Sequence, residues 1–148
     1  MISALVVVYM VDDVLLNKVA IIERCLSRLE QEYCGHEKEL ETNLTRQDSI
    51  ILNLQRCCEA AIDLAMHRVR VSRLGLPQES REAFTLLYGA GQIDEPLMRR
   101  MQAMVGFRNI AVHNYQKLSL EIVRAILNGN LDDFRQFCTV MLKLDARL

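Results

Sequence analysis

The chain of 148 residues has little that would interrupt a helix and almost no net charge. It contains no tryptophan and only two prolines, and both prolines fall at the edges of predicted helices. The formal net charge of -1 argues against a protein that coats nucleic acid with a basic face, because non-specific phosphate binding grows with every Lys or Arg engaged. Any contact with nucleic acid is therefore expected at a local site.

The five cysteines show no pattern of metal ligands or disulfides. Their number is odd, no two are spaced as C-x-x-C, and no histidines accompany them at zinc-ligand spacing. We expect reduced, mostly buried thiols in a cytoplasmic protein, with no metal and no cofactor. A chain of this length buries roughly two-thirds of its unfolded surface without such help. The cysteines are Cys25, Cys34, Cys57, Cys58 and Cys138.

The first ten residues, MISALVVVYM, include an apolar run but lack a basic n-region and a small-residue cleavage site. Asp12 and Asp13 end this run well short of a membrane span. The sequence therefore predicts neither a signal peptide nor a membrane anchor. We predict one domain over residues 1–148, with residues 1–9 as a possible extension: a frayed segment, a short packed strand or the first turns of a helix.

Apolar residues recur at helical spacing from residue 11 to residue 33, which is typical of a helix with one stripe facing a core. This first helix is expected to end near Gly35. After a polar linker, a second long helix runs from about Gln47 to Gly75, and the two are predicted to pack antiparallel. The apolar positions of the first helix are Val14, Leu15, Val19, Ile22, Leu26 and Leu29.

A short third helix is predicted at residues 80–89, with Ser80 as its cap. A fourth follows at residues 95–117, capped by Asp94 and with Pro96 in its first turn, where a missing N–H does no harm.

Two further helices are predicted after the fourth, with Ser119 and Asn130 as their N-caps, and Asn130 with Asp133 resembles a capping box. No strand pattern or internal repeat is present. The predicted fold class is all-α, an antiparallel bundle of four to six helices with short connections.

The fourth helix carries the segment GFRNIAVHNYQ, residues 106–116, which gathers four polar side chains. At about 100° per residue, Arg108, Asn109, His113 and Tyr115 fall within an arc of about 160° on the helix surface. Asn109 and His113 are an i, i+4 pair that can hydrogen-bond and orient the imidazole, and Tyr115 stacks beside Arg108. The spacing predicts a polar site on one helix face.

This combination suits the cleavage of a phosphodiester. A histidine can take a proton from a ribose 2'-hydroxyl or give one to the departing 5'-oxygen, while an arginine binds the non-bridging oxygens as charge builds on them. No metal is required. One histidine cannot act on both sides of an in-line displacement, so the chemistry favours a homodimer with the site at its seam. The simpler interpretation of Arg108 and His113 is a solvated helix face.

The other histidines and the methionines have simpler explanations. His67 is predicted to pair with Asp63 one turn before it, and His36 to lie in a loop without partners. A methionine-rich stripe in the fourth helix is predicted to pack in the core rather than bind a cofactor. It comprises Met98, Met101, Met104 and Val105.

Four segments are similar to the HEPN family (higher eukaryote and prokaryote nucleotide-binding domain), specifically to the HepT-type toxins of minimal nucleotidyltransferase (MNT)/HEPN toxin–antitoxin pairs. DDVLLNKVAIIERCL resembles the first helix of the family, RQDSIILNLQRCCEAAIDLAMH the second, and GLPQESREAFTLL the connector and third. MVGFRNIAVHNY matches the signature Arg-x4-His-x-Tyr. The resemblance extends from about Val11 to Leu144.

The resemblance implies a helical bundle that dimerises around its signature helices, and a metal-independent endoribonuclease that acts on RNA in the same cell. Arg108 and His113 match the catalytic pair of the family, and Asn109 matches its usual polar neighbour. Tyr115 matches the tyrosine that a partner nucleotidyltransferase can adenylylate.

Two functions from different classes follow. The first is the RNA-cleaving toxin of a type VII-like system, dimeric, cytoplasmic, not bound to a membrane and neutralised by a cognate nucleotidyltransferase antitoxin. The alternative is a non-catalytic helical module that binds a partner or a nucleotide. The complete set of Arg, Asn, His and Tyr favours the toxin, because a scaffold has no need of both a histidine and an arginine.

Overall fold

The computed structural model describes residues 12–146, and this part of the chain is helical with no strand. The predicted all-α fold class is therefore confirmed. Short 3-10 turns lie at Glu37–Glu39 and Tyr115–Lys117. The possible extension at residues 1–9 lies outside the described residues. The α-helices are α1 (Asp13–Tyr33), α2 (Leu44–Val71), α3 (Ser80–Gly89), α4 (Glu95–His113), α5 (Leu120–Ala125) and α6 (Leu131–Asp145).

Helices α1 and α2 pack antiparallel, as predicted. At the start of α1, a carboxylate oxygen of Asp12 lies 2.5 Å from Nε2 of His67, near the end of α2. At the other end of the pair, Nη1 of Arg46 in the first turn of α2 donates to the backbone oxygen of Glu32, 2.7 Å away near the end of α1. The start of each helix thus lies beside the end of the other, so the two helices run in opposite directions.

The remaining helices close one hydrophobic core around this pair. Helix α3 contributes Phe84 and helix α6 contributes Phe137, both fully buried, and their rings meet edge to face with centroids 5.5 Å apart. Such a contact adds to the burial of two large apolar side chains. Met101, Met104 and Val105 of α4 are buried in the same core, so the methionine stripe is core packing, as predicted.

Side-chain caps fix the starts of three helices. Asp12 accepts from the backbone N–H of Leu15, and Asp94 accepts from that of Leu97 at 2.9 Å, which confirms the predicted cap of α4. Asn43 accepts from the N–H of Arg46. Helix α2 therefore begins at Leu44, before the predicted start near Gln47, because a capping side chain precedes it.

Ser119 and Asn130 occupy the N-cap positions of α5 and α6, as predicted, but neither side chain makes a capping hydrogen bond in the described structure, so the capping box predicted at Asn130 is not formed. A π-helical turn, Ile126–Asn130, instead joins α5 to α6 without a break. Ile126 and Leu131 are buried, so the apolar stripe continues through this segment and keeps it folded against the core.

The prediction of mostly buried thiols holds, since all five cysteines lie within the described residues as free thiols and Cys34 alone is exposed. Burial raises the pKa of the Cys58 thiol to about 12, as it does for Cys138. In residues 12–146, no helix is both long enough and apolar enough to cross a membrane.

Candidate active site at the end of helix α4

Arg108 lies in the third quarter of α4 and is half-buried against α3. Its Nη2 donates a hydrogen bond to Oγ of Ser80, 3.2 Å away. Its Nε is buried and has no hydrogen-bond partner within the described structure. A buried N–H without a partner is costly unless an acceptor binds there, so this guanidinium is held in place with donor capacity to spare.

Ser80 is a site residue that the sequence did not reveal. It is the first residue of α3, where Glu79 occupies the N-cap position, and its hydroxyl accepts from Arg108 instead of capping the helix. The predicted capping role is therefore wrong. Ser80 and Arg108 are 28 positions apart in the chain, and no local pattern connects two residues at that separation.

Asn109 and His113 are both exposed on the surface of α4. No hydrogen bond joins their side chains in the part of the chain that the structure describes, so the predicted i, i+4 contact is not formed. Both side chains face water, which competes for their hydrogen bonds. His113 is the last residue of the helix, and the N–H of Asn114 closes it on the oxygen of Ile110 at 2.8 Å.

Tyr115 lies outside α4, and its predicted place on the same helix face as Arg108 is wrong. The backbone leaves the helix at Asn114, whose ψ is 58°, and Tyr115 begins a separate 3-10 turn. Asparagine side chains compete with the helix for backbone hydrogen bonds, which favours termination there. The Tyr115 hydroxyl donates to Oδ1 of Asp48 on α2, 2.7 Å away.

The environment of Tyr115 keeps its phenol protonated. Burial, followed by the hydrogen bond to Asp48, raises the pKa of Tyr115 to about 12. Tyr115 as a whole residue remains 46% exposed. The hydroxyl is therefore a neutral donor held by a carboxylate, at the surface.

A surface pocket of about 230 Å³ lies where α4 meets the start of α3. The structure brings Arg108 and Asn109 together at this pocket, but His113 and Tyr115 do not line it. His113 follows Arg108 by five positions, which places it about 140° around the helix axis. The lining residues are Glu79, Ser80, Arg81, Val105, Arg108 and Asn109.

The other histidines pair differently from the sequence prediction. His67 contacts Asp12, while Asp63 forms an ion pair with Lys18 at 3.0 Å, because the antiparallel packing of α1 and α2 offers closer partners than one helical turn does. Nδ1 of His36 lies 2.6 Å from a carboxylate oxygen of Glu39, so the prediction that it has no partner is also wrong. Among residues 12–146, no cluster of three or more His, Cys, Asp or Glu side chains is placed to hold a metal ion.

Comparison with known proteins identifies relatives along most of the chain. A family model described as ribonuclease HepT-like matches residues 22–141. The mRNA nuclease HepT of Shewanella oneidensis is 49% identical over 130 residues, which cover 88% of this chain and 97% of that protein.

Solved structures of related toxins match the fold of this chain along most of its length. A tri-AMPylated HEPN toxin of Shewanella oneidensis, in complex with an MNT antitoxin, matches with a TM-score of 0.85 and 48% identity, covering 89% of this chain and 98% of that one. A toxin–antitoxin structure with AMP-PNP matches with a TM-score of 0.83 and 48% identity, covering 88% and 98% of the two chains. The chain belongs to the HepT-like ribonuclease family, as the resemblance of its signature segment predicts.

Proposed function

We propose that this protein is a metal-independent endoribonuclease, the toxin of a type VII-like MNT/HEPN toxin–antitoxin system, which cleaves RNA in the cytoplasm. Membership of the HepT-like ribonuclease family supports the RNase activity. The observation that carries the site assignment is the guanidinium of Arg108, which is anchored by Ser80 and has a buried Nε without a partner.

Arg108 and His113 are the catalytic residues in this proposal. The ribose 2'-oxygen attacks the adjacent phosphorus, the bond from phosphorus to the 5'-oxygen breaks, and the products are a 2',3'-cyclic phosphate and a 5'-hydroxyl. His113 moves a proton, either away from the 2'-hydroxyl or onto the leaving 5'-oxygen. Arg108 binds the non-bridging oxygens through a planar pair of donors, and Asn109 supports it as an exposed polar neighbour in the same pocket.

The proposal includes a homodimer. The side chains of Arg108 and His113 point about 140° apart around α4, so one protomer is poorly arranged to surround a single phosphate. A two-fold partner that places a second α4 across a cleft supplies the missing groups. The in-line reaction needs both an acid and a base, which two copies of His113 can provide.

The proposal also includes control by a cognate nucleotidyltransferase antitoxin that adenylylates Tyr115. The Tyr115 hydroxyl attacks the α-phosphorus of ATP, pyrophosphate leaves, and the phenolic proton is released. The exposure of the ring at the surface is consistent with access by a second protein. The related toxin in complex with an MNT antitoxin is described as tri-AMPylated, which supports this chemistry for the present chain.

Cleavage of RNA by purified variants in EDTA tests the catalytic assignment. His113→Ala is expected to lower the rate by about 10²–10³, the usual effect of removing a general acid or base or an oxyanion donor. His36→Ala is the matched control, since His36 is a partly exposed histidine in the segment after α1, away from α4, and its removal should leave the rate unchanged.

Products are expected to end in a 2',3'-cyclic phosphate or its hydrolysis product. The assignment is wrong if folded, dimeric His113→Ala cleaves RNA as fast as the wild type. A wild-type protein that binds RNA without cleaving it under any tested condition would instead support the non-catalytic binding module.

A further inference from the structure

Arg81 places a second guanidinium at the pocket that contains Arg108. It is the second residue of α3, it is exposed, and it lines the pocket together with Ser80 and Asn109. Its Nη2 lies against α4 at Gly106, where an added Cβ would be only 2.9 Å away. A Cβ at position 106 would force the end of the flexible Arg81 side chain to shift, so the glycine lets the guanidinium keep its present position on this helix.

Glycine at position 106 is unfavourable for α4 itself. A glycine in the interior of a helix is less favourable than alanine because it loses more backbone freedom on folding, and Gly106 lies well inside Glu95–His113. A Cβ there would meet the end of the Arg81 side chain and no other neighbour in contact range among the described residues. Space for Arg81 is the one structural benefit of this glycine that the described contacts reveal.

The backbone of Arg81 is also fastened to α4. Nε2 of Gln102 donates to the backbone oxygen of Arg81 at 3.1 Å and to Oγ1 of Thr85 at 2.9 Å. The start of α3 is thus held on the helix that carries the signature segment, which fixes the backbone of Arg81 close to α4 and Arg108.

Neither arginine is neutralised by a carboxylate in the described part of the chain, although most ion pairs found there use arginine. Glu79 lines the same pocket but is exposed and forms no ion pair with them. Two guanidinium groups and one carboxylate leave the pocket with a net positive charge. The arginines that do form ion pairs are Arg28, Arg46, Arg99, Arg100, Arg124 and Arg135.

We propose that Arg81 binds a backbone phosphate of the RNA next to the one held by Arg108, and that Gly106 keeps the space for it. The inference rests on the proposed RNase function and assigns Arg81 to substrate binding. The pocket suits a phosphate better than a base, because its lining is polar and charged except for Val105. Arg81 is therefore expected to act on RNA affinity, whereas His113 acts on the chemical step.

Binding of a labelled, single-stranded RNA oligonucleotide of mixed sequence tests the assignment in the His113→Ala background, where cleavage does not interfere. Arg81→Ala is expected to weaken binding roughly tenfold or more, as for the loss of a charged hydrogen bond. The slope of log affinity against log salt should fall by about 0.7, the value for one lost phosphate contact on a single strand. Arg99→Ala is the matched control. Arg99 is an exposed arginine on α4, about 180° around the helix axis from Arg108 and its pocket.

Gly106→Ala separates a structural effect from the proposed one. The added methyl group favours the helix and should leave the melting temperature equal or higher, yet it should weaken RNA binding by displacing Arg81. In the Arg81→Ala background, Gly106→Ala should cause no further loss, since both changes remove the same contact.

The inference is overturned if Arg81→Ala and Gly106→Ala keep wild-type affinity and an unchanged salt slope while Arg108→Ala and His113→Ala abolish cleavage. That outcome leaves the proposed function standing. A wild-type protein that neither binds nor cleaves RNA overturns both.

Discussion

At the scale of single residues, helical periodicity predicted which residues share α4, but not which of their side chains meet. The five-residue step from Arg108 to His113 lies inside one helix, so the 140° turn between them follows from spacing, whereas the predicted grouping of both on one polar face does not appear at the pocket. Ser80 could not be predicted, because its contact with Arg108 depends on how α3 packs against α4. Tyr115 lies two residues beyond the end of α4, and periodicity does not reveal where the backbone leaves a helix.

Tyr115 gives a prediction at this scale. Coexpression with the cognate nucleotidyltransferase should add AMP-sized masses to the wild-type chain, and Tyr115→Phe should lose the addition at this site because the attacking oxygen is gone. Intact-mass measurement followed by peptide mapping checks the result. Tyr88→Phe is the control, since Tyr88 is an exposed tyrosine with 41% of its surface accessible.

Asp48 adds a physical consequence of that modification. An adenylyl group on the Tyr115 oxygen replaces the proton donated to Asp48 with a phosphate anion, so a hydrogen bond becomes a repulsion between like charges. The modified ring is expected to leave Asp48. Persistence of the full modification at the same peptide in Tyr115→Phe would rule out this tyrosine as the acceptor. The remaining explanation for inhibition would be an antitoxin that covers the RNA-binding cleft sterically.

At the scale of secondary-structure elements, helix existence was easier to predict than helix ends. The cap at Asp94 is visible in the sequence because a proline and an apolar helical pattern follow it closely, whereas Asn43 lies in a polar segment with several possible caps. The junction of α5 and α6 was predicted as a break, because Asn130 with Asp133 looks like a capping box. Burial of Ile126 and Leu131 on both sides of the junction outweighed that local signal.

The contact between Asp12, at the start of α1, and His67, near the end of α2, supports a prediction about stability in acid. Burial opposes ionisation of Asp12, but the backbone N–H of Leu15 and the side chain of His67 outweigh it and lower the pKa of Asp12. A carboxyl group with a lowered pKa in the folded state stabilises the fold above its unfolded pKa, and this stabilisation is lost as pH falls through the folded value.

Asp12→Asn keeps a side-chain oxygen for the cap but removes the charge. It should therefore lower the free energy of unfolding near neutral pH, and its difference from the wild type should shrink below about pH 4, where aspartate becomes protonated. Urea denaturation across pH checks this, with Asp132→Asn as a control at an exposed aspartate. An equal difference at pH 7 and pH 3 would exclude the charge as its cause.

At the scale of the whole molecule, the surface of α4 has two different sides. One side carries Arg108 and the polar pocket, and the other borders an apolar groove of about 340 Å³ between α4 and α5. Ile110 and Ile122 line this groove and are 40% and 47% exposed. His113 lies about 60° from Ile110 around the helix, so it stands between the two sides.

We predict that the apolar groove between α4 and α5 is the dimer interface. A two-fold partner seated on the groove would bury exposed isoleucines and bring its own α4 beside His113, which is the arrangement the chemistry needs. Ile122→Glu should therefore yield a folded monomer by light scattering and should lose RNA cleavage although Arg108 and His113 are intact. Leu76→Glu is the matched control, because Leu76 is 88% exposed in a loop outside the groove and should leave both dimer and activity unchanged. A wild-type monomer with full RNase activity at micromolar concentration would contradict the dimer, and a dimeric, active Ile122→Glu protein would place the interface elsewhere.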